Sequence, residues 1–166
     1  MNFLVLSTGD AIFVPADGIH AYLSGDIVEC MARSNNVINT GFCPRADRDS
    51  VELFTSALTF SPHSADEAML PAKSSKRGRH GRTKELAPPM SEFNMLVTQL
   101  EAKQQEVVEP VQGPSVMIVT SGTGTMKVEG KTRDLKEGYV FFVGQGVPVE
   151  LESEKGMVAY RAYAEA

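Results

Sequence analysis

The sequence predicts a mainly β protein with a partial first barrel and a C-terminal jelly roll. Three observations lead there. Short apolar runs broken by Gly, Pro and Asp fill residues 4–32, strand-like runs return after residue 91 at intervals of roughly eight to twelve residues, and one nine-residue pattern occurs in both regions.

Taken in order, Leu4 to Ala32 reads LVLSTGDAIFVPADG and then IHAYLSGDIVECMA, strand-and-turn text. Val51–Leu58 (VELFTSAL) has apolar residues at 51, 53, 54, 57 and 58, a helical spacing, with Asp49-Ser50 placed to cap its start. Residues 61–90 are polar, contain SKRGRHGRTK and close on Pro88-Pro89, the text of a long loop or linker. Strands resume after Ser91 as FNMLVTQL, QEVVEP, SVMIVTSG, TMKVEG, GYVFFVG, VPVELES and MVAYRAYA. The expected organisation is a first β region over 1–60, a linker with a basic loop over 61–90, and a second β domain over 91–166.

The shared pattern is L-x-x-G-x-x-x-F-V, at Leu6–Val14 and again at Leu135–Val143. Its physical reading is a turn at the glycine that feeds a strand. The first copy runs on through Pro15 and Gly18 to His20, whereas the equivalent offset in the second copy lands on Val149, which cannot bind a metal. Two related jelly-roll units are expected, only the first carrying a ligand.

Composition narrows the function. Of 166 residues, 42% are hydrophobic and 22% charged, which fits an ordinary globular chain. A net charge of −5 argues against general nucleic-acid or membrane binding. The first residues lack a basic start and a long apolar core, so no secretory leader is expected. Cys30 and Cys43 are then free thiols in a cytosolic protein.

The chemistry concentrates around His20. Ser24-Gly25 is a plausible two-residue hairpin turn between IHAYL and DIVECMA. That register sets His20 opposite Glu29 and Tyr22 opposite Ile27, all four on one face. A carboxylate beside a histidine suits a metal site or its supporting shell; the alternative is a simple hydrogen-bonded pair at a barrel rim. Cys30 would face the other side of the strand as a small buried residue. His63 and His80 lie in loop-like text without ligand spacing and are expected to be solvated.

Gly9-x5-Pro15-x-x-Gly18-x-His20 resembles the second metal-binding motif of cupins. The stretch His20-Ala21-Tyr22-Leu23-Ser24-Gly25-Asp26, with Glu29 and Met31-Ala32, resembles the HAY-x-SGD-x-x-E-x-MA signature of type I phosphomannose isomerases. Ser34-Asn35-Asn36-Val37 and Gly41-Phe42-Cys43-Pro44 continue the likeness. The resemblance implies a cupin-like jelly roll (a double-stranded β-helix) and interconversion of mannose 6-phosphate and fructose 6-phosphate. It also implies one zinc ion with His20 as a ligand, and a sugar phosphate as the small-molecule partner of a monomeric protein. The remaining ligands belong, by the same resemblance, to an earlier part of the family's chain, so this fragment alone is expected to be inactive. Glu29 is then a catalytic candidate, and Tyr22, Asn35 and Arg45 are substrate-binding candidates.

Two departures stand out. The family's Asp is replaced by Asn35, and its catalytic, phosphate-facing arginine by Asn39. Asparagine carries no charge and cannot replace a charge-assisted phosphate contact. Arg33 and Arg45 are nearby cations that either compensate or lie on the surface. These departures keep open a non-catalytic sugar-phosphate or protein-binding module derived from the same fold. The cations Lys73, Lys76, Arg77, Arg79, Arg82 and Lys84 have no interleaved aromatics for base stacking, and are read as a solvated loop in preference to a nucleic-acid contact.

Overall fold

A computed structural model describes residues 2–33, 37–89 and 92–165 and divides the chain into two compact units, Met1–Met69 and Leu70–Ala166. No helix among the described residues is long and apolar enough to cross a membrane.

The second unit is a curled antiparallel sheet. Its strands are β1 (Lys73–Ser74), β2 (Thr83–Leu86), β3 (Asn94–Leu100), β4 (Gln104–Val108), β5 (Ser115–Val128), β6 (Lys131–Lys136), β7 (Val140–Val143), β8 (Val149–Ser153) and β9 (Met157–Tyr163). They are ordered β1-β2-β3-β9-β5-β8-β4, with β6 and β7 also paired to β5. Strand β5 is long enough to belong to two layers. Its first part pairs with β7 and β9, its second with β6 and β8, and the register shifts between Val119 and Ser121. Such an irregularity bends the strand and lets the sheet close on itself as a jelly roll does. The mainly β fold expected after residue 91 is present as this curled sheet.

Alternation fills its interior. Along β9, Met157, Ala159, Arg161 and Tyr163 are buried while the residues between them are half-exposed; β8 buries Val149, Leu151 and Ser153 in the same rhythm. Leu96 and Leu100 of β3, Val108 of β4 and Val119 of β5 complete a continuous apolar cluster. Each fully buried Leu or Val contributes roughly 1.5–3 kcal/mol relative to exposure. Glycines allow the close approaches: at Gly122, with φ +77°, a Cβ would collide with the Gly156 carbonyl.

The linker expected over 61–90 is corrected. Residues from 70 onward belong to the second unit and supply β1 and β2. The basic stretch is held by acids distant in sequence. Arg77 makes a two-oxygen ion pair with Glu165 (2.6 and 2.8 Å) and donates to the Pro110 carbonyl, Arg79 pairs with Glu109, and Arg82 donates to Gln104. Glu106, fully buried on β4, accepts from the backbone N–H groups of His80 (2.8 Å), Arg82 (2.7 Å) and Val107 (2.9 Å). His80 itself is exposed, with Nδ1 3.6 Å from Glu106 Oε1. Lys73, Lys76, Arg79 and Lys84 are exposed, as expected of a solvated stretch, but Arg77, Arg79 and Arg82 are tied to partners about twenty to ninety residues downstream, outside any local window.

The first unit is irregular. Helix α1 (Val51–Ala57) forms where expected and is capped by Ser50, whose Oγ accepts from Leu53 N–H. A short helix α2 (Ala65–Ala68) has a capping box between Ser64 and Glu67. Arg45–Asp47 form a single 3-10 turn. The strands expected over 4–32 as a partial barrel are not formed among the described residues. An isolated bridge between Ile12 and Met69, the Phe13 N–H to Ala68 carbonyl bond (2.9 Å) and the Thr59 N–H to Asp17 carbonyl bond (3.2 Å) tie this stretch to later residues. An isolated hairpin is marginal without a further strand or an apolar surface to cover it. Here Ile27 is 55% exposed and Met31 66%. The repeated pattern still leaves its mark: Gly9 and Gly138 both adopt positive φ (+94° and +84°) at turns that lead into extended chain. Val149, at the second copy's ligand position, is a fully buried core residue.

Candidate functional site

His20 follows a tight turn. Gly18 N–H bonds the Pro15 carbonyl (3.2 Å), Asp17 adopts φ +59°, and the Asp17 carbonyl accepts from Thr59 N–H just past α1. The imidazole then folds back so that Nδ1 lies 2.9 Å from the Gly18 carbonyl. A carbonyl can only accept, so Nδ1 carries the proton and Nε2 presents its lone pair. Metal-binding histidines use this arrangement, in which a bond at one nitrogen fixes the tautomer of the other.

Tyr22 stands next to it. The two rings meet edge-to-face at 5.7 Å, and the Tyr22 hydroxyl donates to Glu29 Oε1 at 3.2 Å. Half-burial, and then the Glu29 carboxylate, push the Tyr22 phenol above its ordinary range. His20, Tyr22 and Glu29 thus form a contiguous polar run on an exposed surface. The pairing differs from that expected. Glu29 meets Tyr22 instead of His20, because without strand hydrogen bonds nothing enforces the two-residue-turn register.

The other candidates lie apart from this run. Asn39 is exposed, and its backbone exchanges two bonds with Asp49: Asn39 N–H to the Asp49 carboxylate (2.7 Å) and Asp49 N–H to the Asn39 carbonyl (2.9 Å). Those bonds close the loop that carries Arg45, which is also exposed. Asn35 lies outside the described residues. Cys30 and Cys43 are free thiols; burial raises the Cys30 pKa, which disfavours a thiolate nucleophile. Among the described residues no three His, Cys, Asp or Glu side chains cluster in a way that could hold a metal ion.

Sequence reasoning overlooked the buried polar groups of the second unit. Arg161 on β9 and Glu106 on β4 sit at inward positions of apolar strands, and the strand pattern itself marks those positions.

The family described as "Phosphomannose isomerase type I C-terminal" matches residues 87–131, and "AraC-like ligand binding domain" matches residues 113–164. The chain is 38% identical over 169 residues to the mannose-6-phosphate isomerase of Candida glabrata, covering 100% of this chain and 39% of that protein. It is 38% identical over 168 residues to the Saccharomyces cerevisiae enzyme of that name (99% and 39%), and 39% identical over 162 to that of Emericella nidulans (92% and 35%). The chain therefore spans about two-fifths of the length of the curated relatives it matches. Among solved structures, a cupin protein from Bacteroides fragilis aligns over 46% of this chain and 69% of its own at TM-score 0.43 and 14% identity. Salicylate 1,2-dioxygenase from Pseudoaminobacter salicylatoxidans aligns over 56% and 26% at TM-score 0.45 and 22% identity. Along its whole length, the sequence is similar to a part, about two-fifths, of type I mannose-6-phosphate isomerases, and the family match identifies that part as C-terminal.

Proposed function

We propose that this chain is the C-terminal portion of a zinc-dependent mannose-6-phosphate isomerase of the cytoplasm. The observation that carries the reading is its 38% identity, over its whole length, to proteins of that name. The orientation of His20 supports it, since Nε2 is free to bind a metal while Nδ1 is held by Gly18. Zinc, when bound, organises the sugar oxygens and stabilises charge that develops as a proton passes between C1 and C2.

In this reading His20 supplies one ligand, and the others come from the portion of the relatives that lies beyond the matched two-fifths. Tyr22 and Glu29 form a hydrogen-bonded pair beside His20. They suit the orientation of a sugar hydroxyl or of a water, with the Glu29 carboxylate accepting. Arg45, like Arg33, is an exposed cation six residues from the position where Asn39 replaces the family arginine. It contributes positive charge toward the phosphate of a small-molecule sugar phosphate.

The alternative, a non-catalytic sugar-phosphate or protein-binding module, is favoured by one specific observation: Asn39 supplies no charge where the family's arginine stands. A chimera separates the two. The N-terminal part of the Saccharomyces cerevisiae isomerase joined to this chain is expected to isomerise mannose 6-phosphate with zinc and to lose turnover to a chelator. In it, His20→Ala removes zinc and activity together, and Glu29→Gln lowers activity by about 10–100-fold with a smaller loss of metal. Asn39→Arg raises activity if the missing charge limits it. The chain by itself is expected to show no turnover. A folded, zinc-loaded chimera without activity, even with Asn39→Arg, favours the binding module.

A further inference from the structure

Among the described residues of the second unit, nothing neutralises one buried cation. Arg161 lies on the inward face of β9, between Leu96 of β3 and Met117 of β5 in the sheet register, and is 4% exposed. Its Nε donates to Ser115 Oγ at 3.0 Å, and the Ser115 hydroxyl is itself spent on the Val143 carbonyl at 2.9 Å. Nη1 and Nη2 are both fully buried and have no hydrogen-bond partner among the described residues. Leaving an ion buried and unpaired costs several kcal/mol, and a buried guanidinium ordinarily meets a carboxylate.

The carboxylates nearby are committed elsewhere. Glu165 holds Arg77 and also accepts from Gln112 N–H at 2.8 Å, Glu85 accepts the Tyr163 hydroxyl, and Glu106 serves the loop at His80 and Arg82. Among the described residues no acidic oxygen lies within 4 Å of Arg161. Arg77 adds to the positive charge, its guanidinium seated 5.4 Å from the centre of the Tyr163 ring. Burial first, and then the Arg77 charge, act against the charged form of Arg161. A water molecule would satisfy the two idle nitrogens but leave the charge unopposed. An oxyanion does both, and two oxygens match the fork of a guanidinium.

We propose that the interior of the second unit, at Arg161, binds a small oxyanion, the carboxylate or phosphoryl group of a metabolite, through Nη1 and Nη2. The site lies in a different unit from His20 and needs no zinc, so it stands whether or not the isomerase reading does.

The test uses the full chain, labelled with 15N at arginine, at constant ionic strength in chloride. It is titrated separately with inorganic phosphate, acetate and mannose 6-phosphate. The expected result is a saturable shift of one guanidinium signal, assigned through Arg161→Lys and Arg77→Lys, with a matching rise in the thermal midpoint. In Arg161→Met the affinity falls by at least about tenfold. A response to phosphate and mannose 6-phosphate but not acetate identifies a phosphoryl ligand; a response to all three identifies a general oxyanion site. Absence of a saturable shift with every anion, or a response that survives in Arg161→Met, overturns the proposal. Should Arg161→Met not fold, the wild-type titration decides by which arginine signal moves.

Discussion

Residues 2–69 and residues 70–165 are written in similar text, short apolar runs punctuated by Gly, Pro and Asp, yet only the second stretch buries them. Leu96, Val119, Val149 and Leu151 are at most 2% exposed, whereas Phe3, Val5, Phe42 and Phe60 are all more than 75% exposed. An alternating pattern says which face of a strand is to be covered; it does not supply the cover. In the second unit each inward row meets another within the same hundred residues, and the pattern closes into a core. In the first unit the rows have no partner of that kind, and the backbone settles into turns and two short helices. The chemistry follows the same division: His20, Tyr22 and Glu29 lie on an exposed surface, while Glu106 and Arg161 are locked inside.

Substitutions in matched pairs test this contrast. The largest effect is expected at Gly122. Gly122→Ala combines positive φ with a collision at the Gly156 carbonyl and should cost about 3 kcal/mol or more in urea denaturation. Gly9→Ala, with positive φ but open space around it, should cost only about 1 kcal/mol. Equal losses would remove the distinction between the units.

Next comes the core itself. Leu151→Ala is expected to destabilise by about 2–5 kcal/mol, and Leu53→Ala, on half-exposed α1, by no more than about 0.5 kcal/mol. A comparable loss at Leu53 would reveal a core in the first unit. Glu106→Gln should cost about 1–3 kcal/mol, since an amide offers one acceptor where the carboxylate serves three backbone N–H groups. Faster amide exchange at His80 and Arg82 would localise that loss to the loop.

A smaller effect depends on pH. Burial, then the bond to Glu85, raises the Tyr163 phenol above its ordinary value of 10.0. A group whose folded pKa is raised contributes stability that is complete below about pH 10 and fades as pH climbs through the folded value. Tyr163→Phe should therefore cost about 1 kcal/mol at neutral pH and flatten the alkaline decline seen in equilibrium unfolding. Smallest of all, Tyr22→Phe breaks the bond to Glu29 on an exposed surface and should shift stability by less than about 0.5 kcal/mol. A larger shift would place Tyr22 in a structural network.

Strand text was readable where burial decided the residue. FNMLVTQL, VPVELES and MVAYRAYA became β3, β8 and β9, and VELFTSAL with its serine cap became α1. Strand β6 escaped notice because KTRDLK buries only Leu135; its place comes from pairing with β5 and not from its own composition. Strand β2 escaped because Thr83–Leu86 sits in charged text whose partners, Glu106 and Thr98, appear later. SVMIVTSG and TMKVEG looked like two strands and are one, since a bulge near Val119 interrupts the alternation without ending the pairing. At the candidate site, local text identified His20, Tyr22 and Glu29 as neighbours. It could not set their register, because a hairpin without a covering surface has none to enforce.

The position of β9 has a consequence for how the second unit is made. β9 fills the gap between β3 and β5, so Asn94 finds its partner only when Tyr163 has been synthesised. At roughly 5–20 residues per second, the inward edge of β3 stays open on the ribosome for several seconds. Its apolar residues Met95, Leu96 and Val97 lack their β9 partners throughout that interval. The nascent chain therefore passes through a window in which a holding chaperone, or a neighbouring nascent chain on the same message, competes with β9 for that edge.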